Sequence, residues 1–402
     1  MKIFCREHII PFCIALGIIL CLDLRYWYWY ENMERARPPR WREQERLEID
    51  KHAAYGEYAG WDFRKWNIAQ ALHSKKAIVL FGSSELTSSS PYLTGPFFKD
   101  SLQCSLISLG HAGNQCMSIM AQLMAFKHYN EGARVAIIVS PGWFMDHYAR
   151  GTALQPFLEY NDVEMINAAL SMSEPHGDAL ARYALQHASD FEGASKDIDH
   201  AMDHYLWKSK PHQALLQMIS HGIKHHFQRK PKPTYFDGFA LREWPADAVR
   251  YVDENFWHGI EAQAILQHEV LCSNNPWGVN NAYYNKHLKS EKKKIVAVAN
   301  EYNQELRDFT LLVSYIQSRK MDAVFVMQPL NPLAYENLKT GDATMDAVSE
   351  IIHQSGYSYL NLYTSDSTDY QRALLNDVMH FGDYGFLKMN QFIYNHYVAT
   401  TE

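Results

Sequence analysis

Short runs of consecutive apolar residues recur along this chain, and they alternate with stretches of helical periodicity. The strand candidates cover residues 77–81, 104–109, 135–139, 323–327 and 357–363. Helical periodicity is found at residues 117–128, 301–318, 347–353 and 383–396. Continuous apolar runs of this length are typical of strands buried on both faces of a parallel sheet. The alternation therefore predicts a three-layer α/β/α fold, with helices on both faces of a parallel sheet.

The middle of the chain differs from its two ends. Residues 146–294 contain no strand run and are rich in histidine, alanine and aromatic residues. We interpret this segment as a helical insertion across the top of the sheet. The α/β domain is then formed by residues 76–145 together with residues 295–402. A chain of 402 residues is long enough for one large domain with such an insertion.

An apolar segment near the N-terminus predicts attachment to a membrane. Residues 9–22 carry no charge, and the five aromatic residues 26–30 follow as an interfacial belt. We predict an N-terminal transmembrane helix within residues 1–30, and a juxtamembrane stalk and helix within residues 31–75. A cleaved signal peptide and a buried helix are the alternatives. Counting lysine and arginine alone places the C-terminal side in the cytoplasm.

Composition argues against several classes of protein. The formal net charge of −7 disfavours a nucleic-acid partner, because binding phosphate backbones calls for a basic face. Six cysteines, three of them in or beside the N-terminal apolar segment, do not form a disulfide framework. Histidines at residues 199–204 and 221–226 have spacings that can bind zinc, but we interpret them as solvated helix faces. The lysines of residues 286–294 are interpreted as a solvated helix start.

A serine-containing turn, Gly82-Ser83-Ser84-Glu85-Leu86, follows the first strand candidate. Ligands bind at the carboxyl ends of strands in open α/β sheets, so a serine here would expose its hydroxyl to a substrate. The N-terminus of a following helix would present backbone N–H groups to an oxyanion. The lipase pattern G-x-S-x-G is not matched, because Leu86 stands at its second glycine. Taken alone, such a segment is more often a Gly-Ser turn that caps a helix.

A second motif, Asp377-Val378-Met379-His380, lies shortly before the last predicted helix. A serine becomes a nucleophile when a base removes its proton, and a carboxylate improves that base by orienting it. With this spacing on a turn, the Asp377 carboxylate can reach the Nδ1–H of His380, and the other ring nitrogen then faces the serine. D-x-x-H sequences are common by chance, so the prediction depends on the combination of the two motifs.

An early strand–G-x-S turn combined with a late D-x-x-H resembles the SGNH hydrolases, also called the GDSL family. The resemblance implies that Ser84, rather than Ser83, is the nucleophile of a triad completed by His380 and Asp377. It implies that a glycine N–H of the second block contributes to the oxyanion hole, and that an asparagine follows the third strand. That asparagine is missing here, since the strand ends in Ser140-Pro141-Gly142-Trp143-Phe144. The oxyanion and substrate-binding positions implied by these blocks are Gly82, Gly113, Gln115, Ser140 and Trp143.

Four segments together narrow the resemblance to the DltD family of D-alanyl-lipoteichoic acid biosynthesis proteins. They are the GSSEL block, the segment Gly113-Asn114-Gln115, the S-P-x-W-F strand end and the D-x-x-H-x-G terminus. The resemblance covers residues 76–145 and 295–395 and includes the N-terminal anchor. The helical middle is similar only in being an insertion.

The DltD resemblance implies a single-pass protein of the cell membrane with an extracytoplasmic catalytic domain, and this overrides the charge count. It implies esterification of teichoic acid hydroxyls with D-alanine, in which Ser84 carries the acyl group. The implied partners are a DltB-like membrane O-acyltransferase, a DltC-like D-alanyl carrier and the teichoic acid polymer. No metal and no organic cofactor are implied.

Two other functions are compatible with the same residues. The first is an SGNH O-acetyl esterase acting on a cell-surface polysaccharide, because triad chemistry is shared across acyl groups. The second is a non-catalytic, membrane-tethered scaffold that binds carrier or polymer. The completeness of the triad favours chemistry over a scaffold.

Overall fold

The computed structural model of the protein describes residues 47–56, 61–170, 175–187, 239–289 and 291–399. These residues belong to a compact unit that begins at Leu47. No helix among them has the length and apolar character needed to cross a bilayer. The predicted transmembrane helix and the histidine clusters at 199–204 and 221–226 lie outside the described residues.

A six-stranded parallel sheet forms the centre of the described unit. Its strands are β1 (Ala54–Tyr55), β2 (Ile78–Gly82), β3 (Leu106–Gly110), β4 (Arg134–Val139), β5 (Asp322–Met327) and β6 (Ser358–Asn361). The strand order is β1-β3-β2-β4-β5-β6. Without the short edge strand β1, this is a doubly wound order whose direction reverses between β2 and β4, the position where such sheets bind ligands. The predicted α/β class with a parallel sheet is confirmed.

Helices cover both faces of the sheet. They are α1 (Trp61–Ser74), α2 (Cys116–Ala125), α3 (Leu154–Tyr160), α4 (Val163–Leu170), α5 (His176–Gln186), α6 (Glu254–Leu271), α7 (Gln304–Ser318), α8 (Asp342–Ser355) and α9 (Asp383–Tyr397). Two single turns of helix, Thr94–Phe97 and Asn281–Tyr283, lie in connections. Helices α1, α2, α7 and α8 pack with one face of the sheet, and α6 and α9 pack with the other. The described unit therefore has three layers.

The continuous apolar runs have a simple physical cause. Along β2, Val79 and Phe81 belong to one hydrophobic core, whereas Ile78 and Leu80 belong to the core on the opposite face. A strand covered on both faces cannot alternate apolar with polar residues, because every side chain is removed from water. This is why the sequence pattern located the longer strands to within a residue or two.

Parts of the predicted stalk and insertion contribute to the same compact unit. Strand β1 pairs with β3, and helix α1 places Ile68 and Leu72 in the core. Helix α6 packs against α9 in the second helical layer, whereas residues 239–253 contain neither helix nor strand. The lysine-rich residues 291–297 are extended rather than helical, with isolated bridges at Lys293 and Ala297. The domain boundaries themselves stay a prediction.

A buried carboxyl group near the start of α7 fixes the start of α2, and a second buried carboxyl group lies close to the first. Glu305 Oε1 accepts a hydrogen bond of 2.8 Å from the Cys116 N–H, and both Glu305 and Asp308 are buried. Burial and then the charge of Asp308 raise the pKa of Glu305, and burial raises the pKa of Asp308. Because α2 begins directly after Gln115, this contact holds the end of the turn formed by residues 113–115.

The raised pKa values of Glu305 and Asp308 predict a contribution to the free energy of unfolding that decreases with rising pH. Between the unfolded and folded pKa values the native state holds protons that the unfolded chain has lost, so stability falls as pH rises above about 4. Glu305→Gln cannot ionise and keeps an acceptor for the Cys116 N–H. Urea denaturation at about pH 5 and about pH 8 should show a weaker pH dependence for this variant than for the wild type. Equal pH dependence of the two proteins would contradict the prediction.

Candidate active site

The turn that carries Ser84 lies at the carboxyl end of β2. A 3₁₀ turn, Ser84–Thr87, starts directly after Gly82 and Ser83, and Ser84 itself is half-buried. Because Ser84 is the first residue of the turn, its N–H has no partner within the turn and is available to a ligand. The sequence predicted the N-terminus of a helix here. The structure has a single 3₁₀ turn instead. Any positive potential beside Ser84 therefore comes from individual backbone N–H groups and not from the dipole of a helix.

Ser84, His380 and Asp377 are hydrogen-bonded in series. Ser84 Oγ lies 2.9 Å from His380 Nε2, and His380 Nδ1 lies 2.8 Å from Asp377 Oδ2. The other carboxylate oxygen, Asp377 Oδ1, accepts hydrogen bonds of 2.8 Å from the backbone N–H groups of Met379 and His380. These two bonds fix the carboxylate within its own turn, and the carboxylate orients the imidazole toward the serine.

Electrostatics at His380 reflect a competition between burial and charge. Burial lowers the pKa of His380, but the hydrogen bond and charge of Asp377, followed by the charge of Glu85, outweigh it and raise the pKa. The positive charge of Lys293 lowers the pKa of His380. Burial also opposes ionisation of Asp377, yet its bond to His380 and the two N–H donors lower its pKa. The pKa of His380 is therefore higher than that of an ordinary histidine because of the neighbouring Asp377 carboxylate.

A buried carboxyl group next to Ser84 binds the backbone of the turn. Glu85 Oε1 accepts a 2.5 Å hydrogen bond from the Ser83 N–H, and the side chain is almost completely buried. Burial raises the pKa of Glu85. A Cβ at Gly82 would lie 2.7 Å from Glu85 Oε1, so a larger residue there would force this carboxyl group to move. The role of Glu85 was not predicted from the sequence, although an acidic residue directly after the serine is a signal that could have indicated it.

The N–H of Gly113, the predicted second oxyanion donor, is engaged with Ser83. It donates to Ser83 Oγ over 3.0 Å, and Ser83 Oγ in turn donates to the carbonyl of His111 over 3.1 Å. Gly113 has a φ of 86°, and a Cβ there would lie 2.6 Å from Pro156. The neighbouring Asn114 Nδ2 donates to the Gly82 carbonyl over 3.0 Å. The segment 113–114 therefore binds directly to the turn that carries Ser84.

The other predicted substrate-binding residues hydrogen-bond to groups outside the triad. Gln115 is buried, and its Nε2 donates to the Tyr148 carbonyl over 3.2 Å. Ser140, at the end of β4, accepts a 2.7 Å bond from Gln328 Nε2. Trp143 is also buried, within a 3₁₀ turn after the same strand. These residues support the loops at the carboxyl edge of the sheet.

Among the described residues, no group of three His, Cys, Asp or Glu side chains is arranged to hold a metal ion.

Fold and site together define a class: an α/β protein with a doubly wound parallel sheet and a serine, an imidazole and a carboxylate joined at its carboxyl edge. A sequence model of the family described as "DltD protein" matches residues 61–398. The curated "Protein DltD" of Staphylococcus aureus is 20% identical over 335 residues, which are 80% of this chain and 81% of that protein. The chain belongs to the DltD family, whose members are involved in the D-alanylation of teichoic acids.

The raised pKa of His380 predicts how labelling of Ser84 depends on pH. Only the neutral imidazole can accept the serine proton, so labelling by a fluorophosphonate should accelerate with pH and have a midpoint above about 6.5. In Asp377→Asn the carboxylate charge that raises the pKa of His380 is lost, while the burial that lowers this pKa persists. The midpoint should then fall, and the rate at high pH should drop by about 100-fold or more. A midpoint unchanged in the variant would show that Asp377 does not set the basicity of His380.

Glu85 should be required for the stability of the nucleophile turn. Glu85→Ala leaves the buried Ser83 N–H without its acceptor, which costs about 1–3 kcal/mol in the free energy of unfolding. Glu85→Gln is the matched control, because its amide oxygen can accept the same bond. Denaturation should show most of the lost stability restored in Glu85→Gln, and fluorophosphonate labelling should recover in parallel. An Ala variant as stable as the wild type would exclude this role.

Proposed function

We propose that this protein is a membrane-anchored serine acyltransferase or esterase of the SGNH type that acts in the D-alanylation of teichoic acid. One observation carries the proposal. Ser84 Oγ, the imidazole of His380 and the carboxylate of Asp377 form an unbroken series of hydrogen bonds, at 2.9 and 2.8 Å, in a chain of the DltD family. The spacing matches the arrangement that activates a serine hydroxyl for acyl transfer.

In the first half-reaction His380 Nε2 accepts the proton of Ser84, and the serine oxygen attacks the carbonyl of a D-alanyl ester or thioester. Asp377 stabilises the imidazolium through the Nδ1–H. The N–H of Ser84 donates to the oxyanion. The Gly113 N–H becomes the second donor when it exchanges its hydrogen bond to Ser83 Oγ for one to the oxyanion. Collapse of the intermediate expels the donor's alcohol or thiol, which receives the proton from His380.

In the second half-reaction a polyol hydroxyl of the polymer attacks the D-alanyl ester on Ser84. His380 removes the hydroxyl proton and later returns it to Ser84 Oγ, so the enzyme regains its starting state. Water in place of the polyol gives hydrolysis, the esterase outcome. The half-exposed imidazole, with 35% of its side chain accessible, leaves space for either acceptor.

The proposed location is the cell membrane, with a single span in residues 1–30 and an extracytoplasmic catalytic domain. The support is the apolar segment 9–22, its aromatic flank and the family resemblance. The proposed partners are the DltB-like O-acyltransferase, the DltC-like carrier and the polymer itself. A catalytic domain outside the membrane is consistent with an acceptor that belongs to the cell surface.

The proposal predicts that D-alanine esters on teichoic acid depend on the Ser84 hydroxyl. In cells whose own copy of this chain is replaced by Ser84→Ala, the ester-linked D-alanine released by mild alkali should fall to the level of a deletion. Ser89→Ala is the matched control, because Ser89 is an exposed serine just beyond the same turn. It should retain wild-type esterification. Wild-type D-alanine content in the Ser84→Ala cells would instead support the scaffold function.

A further inference from the structure

Five lysines lie close together in the sequence, within residues 286–294, and form what we call the basic cluster: Lys286, Lys289, Lys292, Lys293 and Lys294. They are accompanied by a single acidic residue, Glu291, in a chain whose net charge is −7. A local excess of one charge on a protein of the opposite sign creates a field that attracts oppositely charged ligands. From the sequence alone these lysines were interpreted as a solvated helix start.

The cluster spans two kinds of local structure: Lys286 lies in a turn of π-helix, Tyr284–Leu288, and Lys289 directly follows it. Lys292, Lys293 and Lys294 lie on a segment without helix, and this segment crosses the carboxyl edge of the sheet. The Lys293 N–H donates to the Ala334 carbonyl over 2.8 Å, beyond the end of β5. Further along, the Asp146 N–H donates to the Val296 carbonyl over 2.8 Å, beyond the end of β4. The segment is therefore held between the loops that leave β4 and β5, at the same edge of the sheet as Ser84.

The cluster is also next to the triad turn. The loop after β5 is bonded on one side to Lys293 and on the other side to the triad turn, where the Asn331 N–H donates to the Val378 carbonyl over 3.0 Å. The ammonium group of Lys293 donates to Tyr283 Oη over 3.0 Å and lies close enough to His380 for its charge to oppose protonation of the imidazole.

Most of the cluster's charge is available to a ligand. Lys286, Lys289 and Lys292 are exposed and form no ion pair with any described residue. Lys294 pairs with Glu336 at 3.0 Å, but both side chains are largely accessible, at 71% and 46%. An exposed pair of this kind contributes little and is readily exchanged for another anion.

We propose that the basic cluster binds the polyanionic acceptor, a polyol chain linked by phosphodiesters, and guides its hydroxyl groups to Ser84. The inference rests on the proposed function for the identity of the polymer. Each phosphodiester carries one negative charge, so successive ammonium groups can neutralise successive linkages while the chain slides past the nucleophile. Lys293, nearest to His380, marks the end of this path at the triad.

The test uses the full-length chain in neutral detergent, carrying Ser84→Ala so that it cannot turn over. A fluorescent glycerol-phosphate oligomer is titrated at low salt, and its anisotropy is measured. Adding K286Q, K289Q and K292Q should weaken binding about tenfold, since each exposed charge contributes up to about 1 kcal/mol. Thermal denaturation establishes that the variant is folded.

The matched control removes three exposed lysines at the opposite, amino edge of the sheet, with K75Q, K76Q and K320Q. It changes net charge equally and should alter oligomer affinity by less than about twofold. Equal weakening by both sets, or no weakening by the first, would overturn the inference. Loss of binding to phosphatidylglycerol vesicles with oligomer binding retained would also overturn it, in favour of a lipid surface.

The outcome is separable from that of the proposed function. Oligomer binding is measured on a chain without the nucleophile, so it does not depend on acyl transfer. Failure of a fluorophosphonate to label Ser84 in the wild type would refute the proposed function. Unchanged oligomer affinity in the K286Q, K289Q and K292Q variant would refute the role of the basic cluster alone.

Discussion

The geometry of the site depends on burial of both faces of one parallel sheet. Parallel strands direct all their carboxyl ends to one edge, so the turn after β2 and the turn that precedes α9 meet there although Ser84 and His380 are 296 positions apart. The helices that bury the two faces keep these turns in place. Ile78 and Leu80 pack with α9 on one side, and Val79 and Phe81 pack with α2 on the other. A hydrogen bond of 2.9 Å between distant side chains is the consequence.

Within this fold the polar groups hold the backbone next to Ser84 and orient the imidazole of His380. The backbone just before Ser84 is held by two side chains: Glu85 accepts from the Ser83 N–H, and Asn114 donates to the Gly82 carbonyl. Such bonds act in a region of low dielectric, where each is stronger and where losing one leaves a costly unpaired group. The same burial would make His380 a weaker base, and the Asp377 carboxylate reverses that effect.

Much of the fold follows from the sequence because its signals are local. Runs such as residues 135–139 and 323–327 are apolar throughout, and each lies within a strand of the structure. Strand β1 was not predicted, because its two residues are too few to form a pattern. The meeting of Ser84 with His380 and Asp377 follows from topology and from the resemblance to a known family, while the catalytic roles of these residues stay a prediction.

Other features of the site could not be read from the sequence, because they depend on distances between segments. Nothing local shows that the Gly113 N–H is bonded to Ser83 Oγ, or that the turn after β2 is 3₁₀ rather than α-helical. The position of Lys293 beside the triad turn likewise follows from pairing with the loop after β5. Burial of Glu85 is a tertiary property, since an acidic residue after a strand is usually solvated.

The most direct test of acyl transfer through Ser84 is the intact mass of the protein after rapid quenching with a D-alanyl thioester donor. If Ser84 is the nucleophile, the wild type gains the mass of one D-alanyl group. The adduct maps to the peptide containing Ser84 and is missing in Ser84→Ala. An adduct of equal yield in Ser84→Ala, or none in a wild type that D-alanylates polymer, would contradict a covalent mechanism at this serine.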